Sequence, residues 1–277
     1  MRKVISLGMC IIMGFLLMIP VVAVGEKTDV DTVLRERGLP QIYLDHLSDS
    51  AKESLYARSD LEFEGATITT YNQTDGSVES YDIAGDGIAV YNQIPAADLN
   101  LTWGIFHKRY TDIVHVVYSY QWNRWPKDRY EDQIAVTWDS SKFQMVDNSF
   151  YKIDQYSGKR LKSDGTLGPV ETVTNSREFR YAKGSATGVT WYAKLRANES
   201  VSRFAQLKQF GHGEFDLKAK SGGFTTTLYG HYVHNKSSST VTINFPNGLG
   251  DISIGVGSSY GEAANQRTYT FRKDRDG

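Results

Sequence analysis

The segment TDIVHVVYSYQW, residues 111–122, alternates apolar and polar side chains with a period of two. Val114, Val116, Tyr118, Tyr120 and Trp122 occupy the even positions, and His115, Ser119 and Gln121 occupy odd ones. Successive side chains of a strand point to opposite sides of its sheet, so this period gives a β-strand with one apolar and one polar face. It returns in Ile134, Val136 and Trp138, and again in Val189, Trp191, Ala193 and Leu195. In Phe215, Leu217 and Ala219 it alternates with Glu214, Asp216, Lys218 and Lys220. Each strand is expected to be half-buried, with its polar face wet.

Turn pairs such as Asp75-Gly76, Asp86-Gly87, Asp164-Gly165, Gly222-Gly223 and Asn247-Gly248 separate the strands. No helical period lies between them, which excludes parallel βαβ units. The fold class expected is mainly β, an antiparallel β-sandwich over 61–277. The polar stretch 155–176 reads as a domain boundary or a long hairpin arm. Neither half shows a complete set of closing strands, which favours one domain. A two-residue turn at Gly222-Gly223 would pair Leu217 with Leu228 and Glu214 with His231 in a hairpin.

Residues 26–60 carry a different signal, a small helical head. Thr28 to Asp31 reads as an N-cap followed by an acid, with Val30, Val33 and Leu34 on one side. Gly38 and Pro40 stop that helix. A short turn over 40–47 offers Ile42, Tyr43 and Leu47, and Ser50 to Glu53 reads as a capping box for a third helix ending near Arg58. Such short helices must pack on something else to persist. The stretch LRERGLPQIYLDHLSDSAKESLY, residues 34–56, resembles N-terminal segments of uncharacterised exported proteins of Gram-positive bacteria. The resemblance is confined to this stretch, contains no catalytic motif and implies no function.

Arg2 and Lys3 precede an apolar run from Val4 to Val24 that ends in small residues, Ala23 and Gly25. That layout is expected to be a signal peptide over 1–25, with the mature chain starting near Glu26. The leader holds Cys10, the only cysteine of the 277 residues. A secreted chain without cysteine fits Gram-positive export to the extracellular space, and it excludes a disulfide framework and cysteine-rich zinc sites. Charge is nearly balanced, with 31 basic and 32 acidic residues, which removes the electrostatic argument for a nucleic-acid partner.

Motifs for chemistry are sparse. The sequence contains no phosphate loop, no His-Glu-x-x-His and no calcium loop, so no metal and no cofactor is expected. Gly257-Ser-Ser-Tyr-Gly261 matches the nucleophile-elbow spacing, yet no histidine follows it and its surroundings are β-like. His212, His231 and Glu214 could gather across the expected hairpin, and a cross-strand Glu–His pair on a wet face is the simpler reading. The densest recognition-type segment is the loop 123–130, with Arg124, Trp125, Arg129 and Tyr130 as candidate ligand-binding residues. Pro126 keeps it out of a central strand. The function expected is a secreted, non-catalytic binding protein that takes a glycan, an envelope component or a protein. A membrane-acting, pore-forming β-protein is second and an extracellular hydrolase third.

Overall fold

The computed structural model describes residues 29–84, 97–124, 126, 130–174, 181–185, 187–195, 204–236, 242–244, 253–255 and 260–272. Residues 1–28, with the expected signal peptide, lie outside these residues, as do Trp125, Arg129 and the Gly/Ser-rich stretch around Ser258. Three helices come first: α1 (Val30–Glu36), α2 (Gln41–Leu44) and α3 (Asp49–Ala57). Among the described residues none is long and apolar enough to cross a membrane. The strands are β1 (Leu61–Tyr71), β2 (Val78–Ala84), β3 (Leu99–Lys108), β4 (Ile113–Trp122), β5 (Glu131–Thr137), β6 (Phe143–Met145), β7 (Tyr151–Leu161), β8 (Leu167–Thr174), β9 (Tyr181–Ser185), β10 (Gly188–Lys194), β11 (Phe204–Ala219), β12 (Phe224–Asn235), β13 (Thr242–Asn244), β14 (Ser253–Gly255) and β15 (Tyr260–Phe271).

All pairings are antiparallel. Sheet A runs β2-β1-β3-β4-β11-β7-β8, with β6 paired to β11, and sheet B runs β15-β12-β5-β10-β9. The chain is therefore a mainly β, antiparallel sandwich, as the alternation predicts. The inward rows of β4, β5, β10 and β11 are those read from the sequence. Val114, Val116, Tyr118, Ile134, Val136, Trp191, Phe215 and Leu217 are all fully buried in one core between the sheets. Gly213 of β11 is required by that core. A Cβ there would lie 2.7 Å from Cζ2 of Trp191, which descends onto the strand from sheet B.

Three expectations need correction. β11 and β12 do not form a hairpin: β11 belongs to sheet A, where Leu217 faces Val114, and β12 belongs to sheet B, where Leu228 faces Arg267. Leu217 and Leu228 both point into the core from opposite sheets, because apolar alternation specifies a face and leaves the partner open. Second, helix starts are displaced. Asp29 caps α1 by accepting from Asp31 N, and Ser48, not Ser50, caps α3 by accepting from Ala51 N.

The third correction concerns the polar faces of β4 and β11, which are not wet. The helical head lies on the outer face of sheet A, making a third layer. Leu34, Leu39, Tyr43, Leu44, Leu47, Ala51 and Leu55 pack there against Leu61, Phe63, Ala66, Ile68, Ile83, Phe106 and Val117. The same layer buries His115, Ser119, His212 and Glu214. Of the polar stretch 155–176, the described residues to Thr174 form the β7–β8 hairpin arm, with Leu161 opposite Leu167 at its end. Gly213→Ala should lower unfolding free energy by about 1–3 kcal/mol through overpacking against Trp191, read by urea denaturation.

Candidate functional site

The loop 123–130 joins β4 of sheet A to β5 of sheet B. Backbone N–H groups of Asn123 and Arg124 donate to Asp98 O (2.8 and 3.3 Å), and Asn123 Nδ2 donates to Ala97 O (3.0 Å). At its other end Leu195 N donates to Tyr130 O, at 3.3 Å. The Arg124 side chain is 72% exposed, with Nε 3.4 Å from Asp98 Oδ1. Tyr130 is 39% exposed. Arg124 and Tyr130 thus face solvent at the two ends of the segment, and Pro126 between them is buried. Trp125 and Arg129 lie outside the described residues.

Below this loop a polar network crosses the sandwich. Asp132 of β5 is fully buried and accepts from Tyr232 Oη (2.5 Å), His234 Nδ1 (3.0 Å) and Asn235 N (2.9 Å). Trp122 Nε1 donates to Tyr232 Oη at 2.9 Å, tying β4 to β12. The Tyr232 ring lies 5.3 Å from that of Tyr120, whose hydroxyl donates to Asp154 Oδ1 at 3.0 Å. Lys152 Nζ completes the line, 3.2 Å from Asp154 Oδ2 and 2.7 Å from Tyr192 O. Burial pushes both carboxyls up; His234 and Tyr232 oppose this at Asp132, and Lys152 and Tyr120 at Asp154. Closed off from solvent and supplied with donors, these groups act as a rivet between the sheets. The signal for it was present in the sequence: Asp132 sits two residues before Ile134, on the inward parity of its strand.

A second cluster lies between α3 and the outer face of sheet A. Ser54 Oγ donates to both oxygens of Glu214 (2.7 and 2.8 Å), and Ser50 Oγ donates to Gln155 Oε1 (2.7 Å). Arg58 Nη2 stands 3.2 Å from Asp216 Oδ1. His115 sits between the two acids, with Nδ1 2.7 Å from Asp216 Oδ1 and Nε2 3.4 Å from Glu214 Oε2. Arg58 Nη1 is also 2.7 Å from Nδ1. A guanidinium only donates, so Nδ1 meets Arg58 as an acceptor when it carries no proton and meets Asp216 as a donor when it does. Burial raises both carboxyls, and the bonds and charge of His115 overcome it, leaving Glu214 and Asp216 below their ordinary values.

Other groups in this cluster have no partner. Tyr43 Oη, Ser119 Oγ and both ring nitrogens of His212 are buried without a hydrogen bond. Each such group costs about 1–3 kcal/mol relative to its hydrated form. Burial takes His212 down to about 4, with Glu214 opposing and His115 assisting. The Glu–His pair of the sequence reading therefore exists with a different partner. Glu214 meets His115 on β4, because His231 belongs to sheet B. Among the described residues no group of three or more His, Cys, Asp and Glu is arranged to hold a metal.

A cleft of about 170 Å³ opens where β15 passes over β1 and β3, lined by Glu64, His107, Arg267, Thr268, Tyr269, Thr270 and Arg272. Arg267 is committed to the fold there, with Nη1 3.1 Å from Ala66 O and 3.1 Å from Asp82 Oδ1.

No protein-family model matches the chain, and no curated protein does. Among solved structures it is similar to a pore forming protein, at 10% identity and a TM-score of 0.30 over 62% of this chain and 88% of that one. It is also similar to the C-terminal domain of the Streptococcus agalactiae AgI/II polypeptide BspA, at 8% identity and TM-score 0.30 over 78% and 76%. A third is ACE19, the collagen binding subdomain of the Enterococcus faecalis surface protein ACE, at 10% identity and TM-score 0.26 over 56% and 86%. Likenesses this distant assign neither a family nor a ligand.

Asp132→Ala should strip Tyr232, His234 and Asn235 of their acceptor at once. The expected loss is about 3–5 kcal/mol of unfolding free energy, the scale for breaking a buried ionic network. Urea titration of the variant checks it.

Proposed function

We propose that the protein is an extracellular, non-catalytic binding module that takes a glycan, an envelope component or a protein ligand through the loop 123–130. The observation that carries this reading is the way the loop is held. Asp98 and Ala97 pin one end and Leu195 the other, while Arg124 and Tyr130 face solvent. Flanks anchored in this way lose little freedom on binding, which leaves the contacts of Arg124 and Tyr130 to the ligand. The described acids and histidines inside the sandwich point the same way, since Asp132, Asp154 and His234 are occupied in internal bonds.

The test is one mutant measured twice. Trp125→Ala should weaken binding on an array of bacterial and host glycans and matrix proteins by about tenfold or more, the scale for an interface anchor. Thermal stability should stay unchanged. A fall of roughly 3–5 kcal/mol in stability, the cost of truncating a buried Trp, with affinity intact would make Trp125 a lid on the sandwich and end this reading.

A second reading, action on a membrane, rests on the β7–β8 arm. Leu161, Leu167 and Val170 are exposed there, at 44, 43 and 63%. Val170 pairs with Lys159, and Ser157 with Thr172, on one side of the arm, whereas Arg160 and Glu171 form an ion pair at 3.1 Å. A hairpin inserted in a bilayer needs one largely uncharged side. Dye release from anionic vesicles, abolished by Val170→Asp, is the outcome this reading expects; intact vesicles with the unaltered protein would dismiss it.

A further inference from the structure

We propose that the contact between α3 and the outer face of sheet A is an acid-opened clasp: closed at neutral pH over a polar sheet face, and released in acid to uncover it. This inference is independent of the binding loop.

The composition of the covered face is the first ground. On β1 and β3 the head rests on Ala66, Ile68 and Phe106, an apolar seat suited to permanent cover. On β4, β7 and β11 it rests on Val117 and, around it, on His115, Ser119, Gln155, His212, Glu214 and Asp216, a mostly polar set such as a strand turns to water. A face patterned for solvent yet covered is a conflict between local sequence and global fold, and such conflicts gather where a structure has work to do.

The bonding across this half is the second ground. Ser50 and Ser54, one turn apart on α3, and Arg58 at its C-cap each bond a polar group of sheet A. Beneath them Ser119 Oγ and both ring nitrogens of His212 are desolvated without a partner. Water would satisfy both residues on opening, so closure holds against their hydration.

Acid acts on the closed form through His212 and the two carboxylates. The charged and titratable groups acting on His212 are Glu214 on β11, His115 on β4 and Tyr151 on β7; Asp216, Arg58 and Tyr43 join the same cluster through His115 and Glu214. Opened to water, His212 takes a proton near 6.5; closed, only near 4. The open form thus binds more protons between those values, and closure weakens as pH falls through them. Glu214 and Asp216, held below their ordinary values, support closure above those values and lose it as pH falls further. His46 on the same head, lowered by burial, adds to this sense. Asp132 and Asp154 carry the opposite sign: raised by burial, they oppose folding less as pH falls. Acid therefore strains the clasp while it relieves the sandwich interior, so α3 releases before the sheets do.

Hydrogen exchange on the full chain from about pH 7 to about pH 4.5, corrected for intrinsic rates, tests the clasp. The amides of 49–57 should lose ~tenfold protection at the acid end, while 131–137 and 228–233 keep theirs. His212→Gln should move the release to lower pH, and Ser54→Ala, which deprives Glu214 of its hydroxyl, should move it higher. If α3 stays protected until the sandwich strands exchange, the clasp does not exist. Release at the same pH in both variants overturns it equally, and if His212→Gln fails to fold, the unaltered profile and Ser54→Ala decide.

Discussion

Tyr118 stands at the centre of sheet A, opposite Trp103 on β3 and Gly213 on β11. Its ring meets Trp103 at 4.7 Å and Trp191, from the other sheet, at 6.2 Å, both edge to face. This column needs the glycine: any side chain at 213 would occupy the space into which Trp191 descends. Because the column sets the separation of the sheets, the neighbouring rows of β4, β5 and β10 close around it without water. The geometry that places the loop 123–130 above, and the head on the far side, follows from it.

The polar groups divide by layer. Inside the sandwich, Asp132 and Asp154 are each met by several donors, so their burial brings specificity to the pairing of the two sheets. Under the head, Glu214 and Asp216 are bonded while Tyr43, Ser119 and His212 are not. One layer is finished and the other is not, and the unfinished one joins a short helix to a sheet. The two also respond oppositely to protons, which separates the stability of the cover from that of the sandwich beneath it.

The inward rows were legible because a period of two leaves no other face for Val114 to Trp122 or Val189 to Leu195. What lay against those rows was not. A strand's alternation does not say which strand pairs with it: the pattern of Phe215 to Ala219 suits β12 as a neighbour, whereas β4 and β6 flank it. Nor does it say whether a third layer covers the polar side, and His115 and Glu214 read as wet for that reason. Helix caps were misplaced by one or two residues because Ser48 and Ser50 offer the same chemistry. Of the candidate site, the loop and its exposed Arg124 were visible from Pro126 and the composition around it. Asp132 shares the inward parity of Ile134 and Val136, whereas Lys152 and Asp154 alternate with Ile153, so their burial follows from the opposing sheet and not from the local pattern.

The side of the sandwich where β2 and β15 run has a latch. Arg267 of the edge strand β15 passes to the other sheet and reaches Ala66 O and Ile83 O, at 3.1 and 3.4 Å. Gly65, with φ of 146°, gives it passage, since a Cβ there would lie 2.2 Å from Nη2. At the opposite end of sheet A the edge strand β8 contains Pro169, which cannot donate to an incoming strand. A bare sheet edge is a template for adding further copies of a chain. The guanidinium ties sheet B to the margin of sheet A at β1 and β2, and the proline leaves the edge at β8 one donor short for an incoming strand.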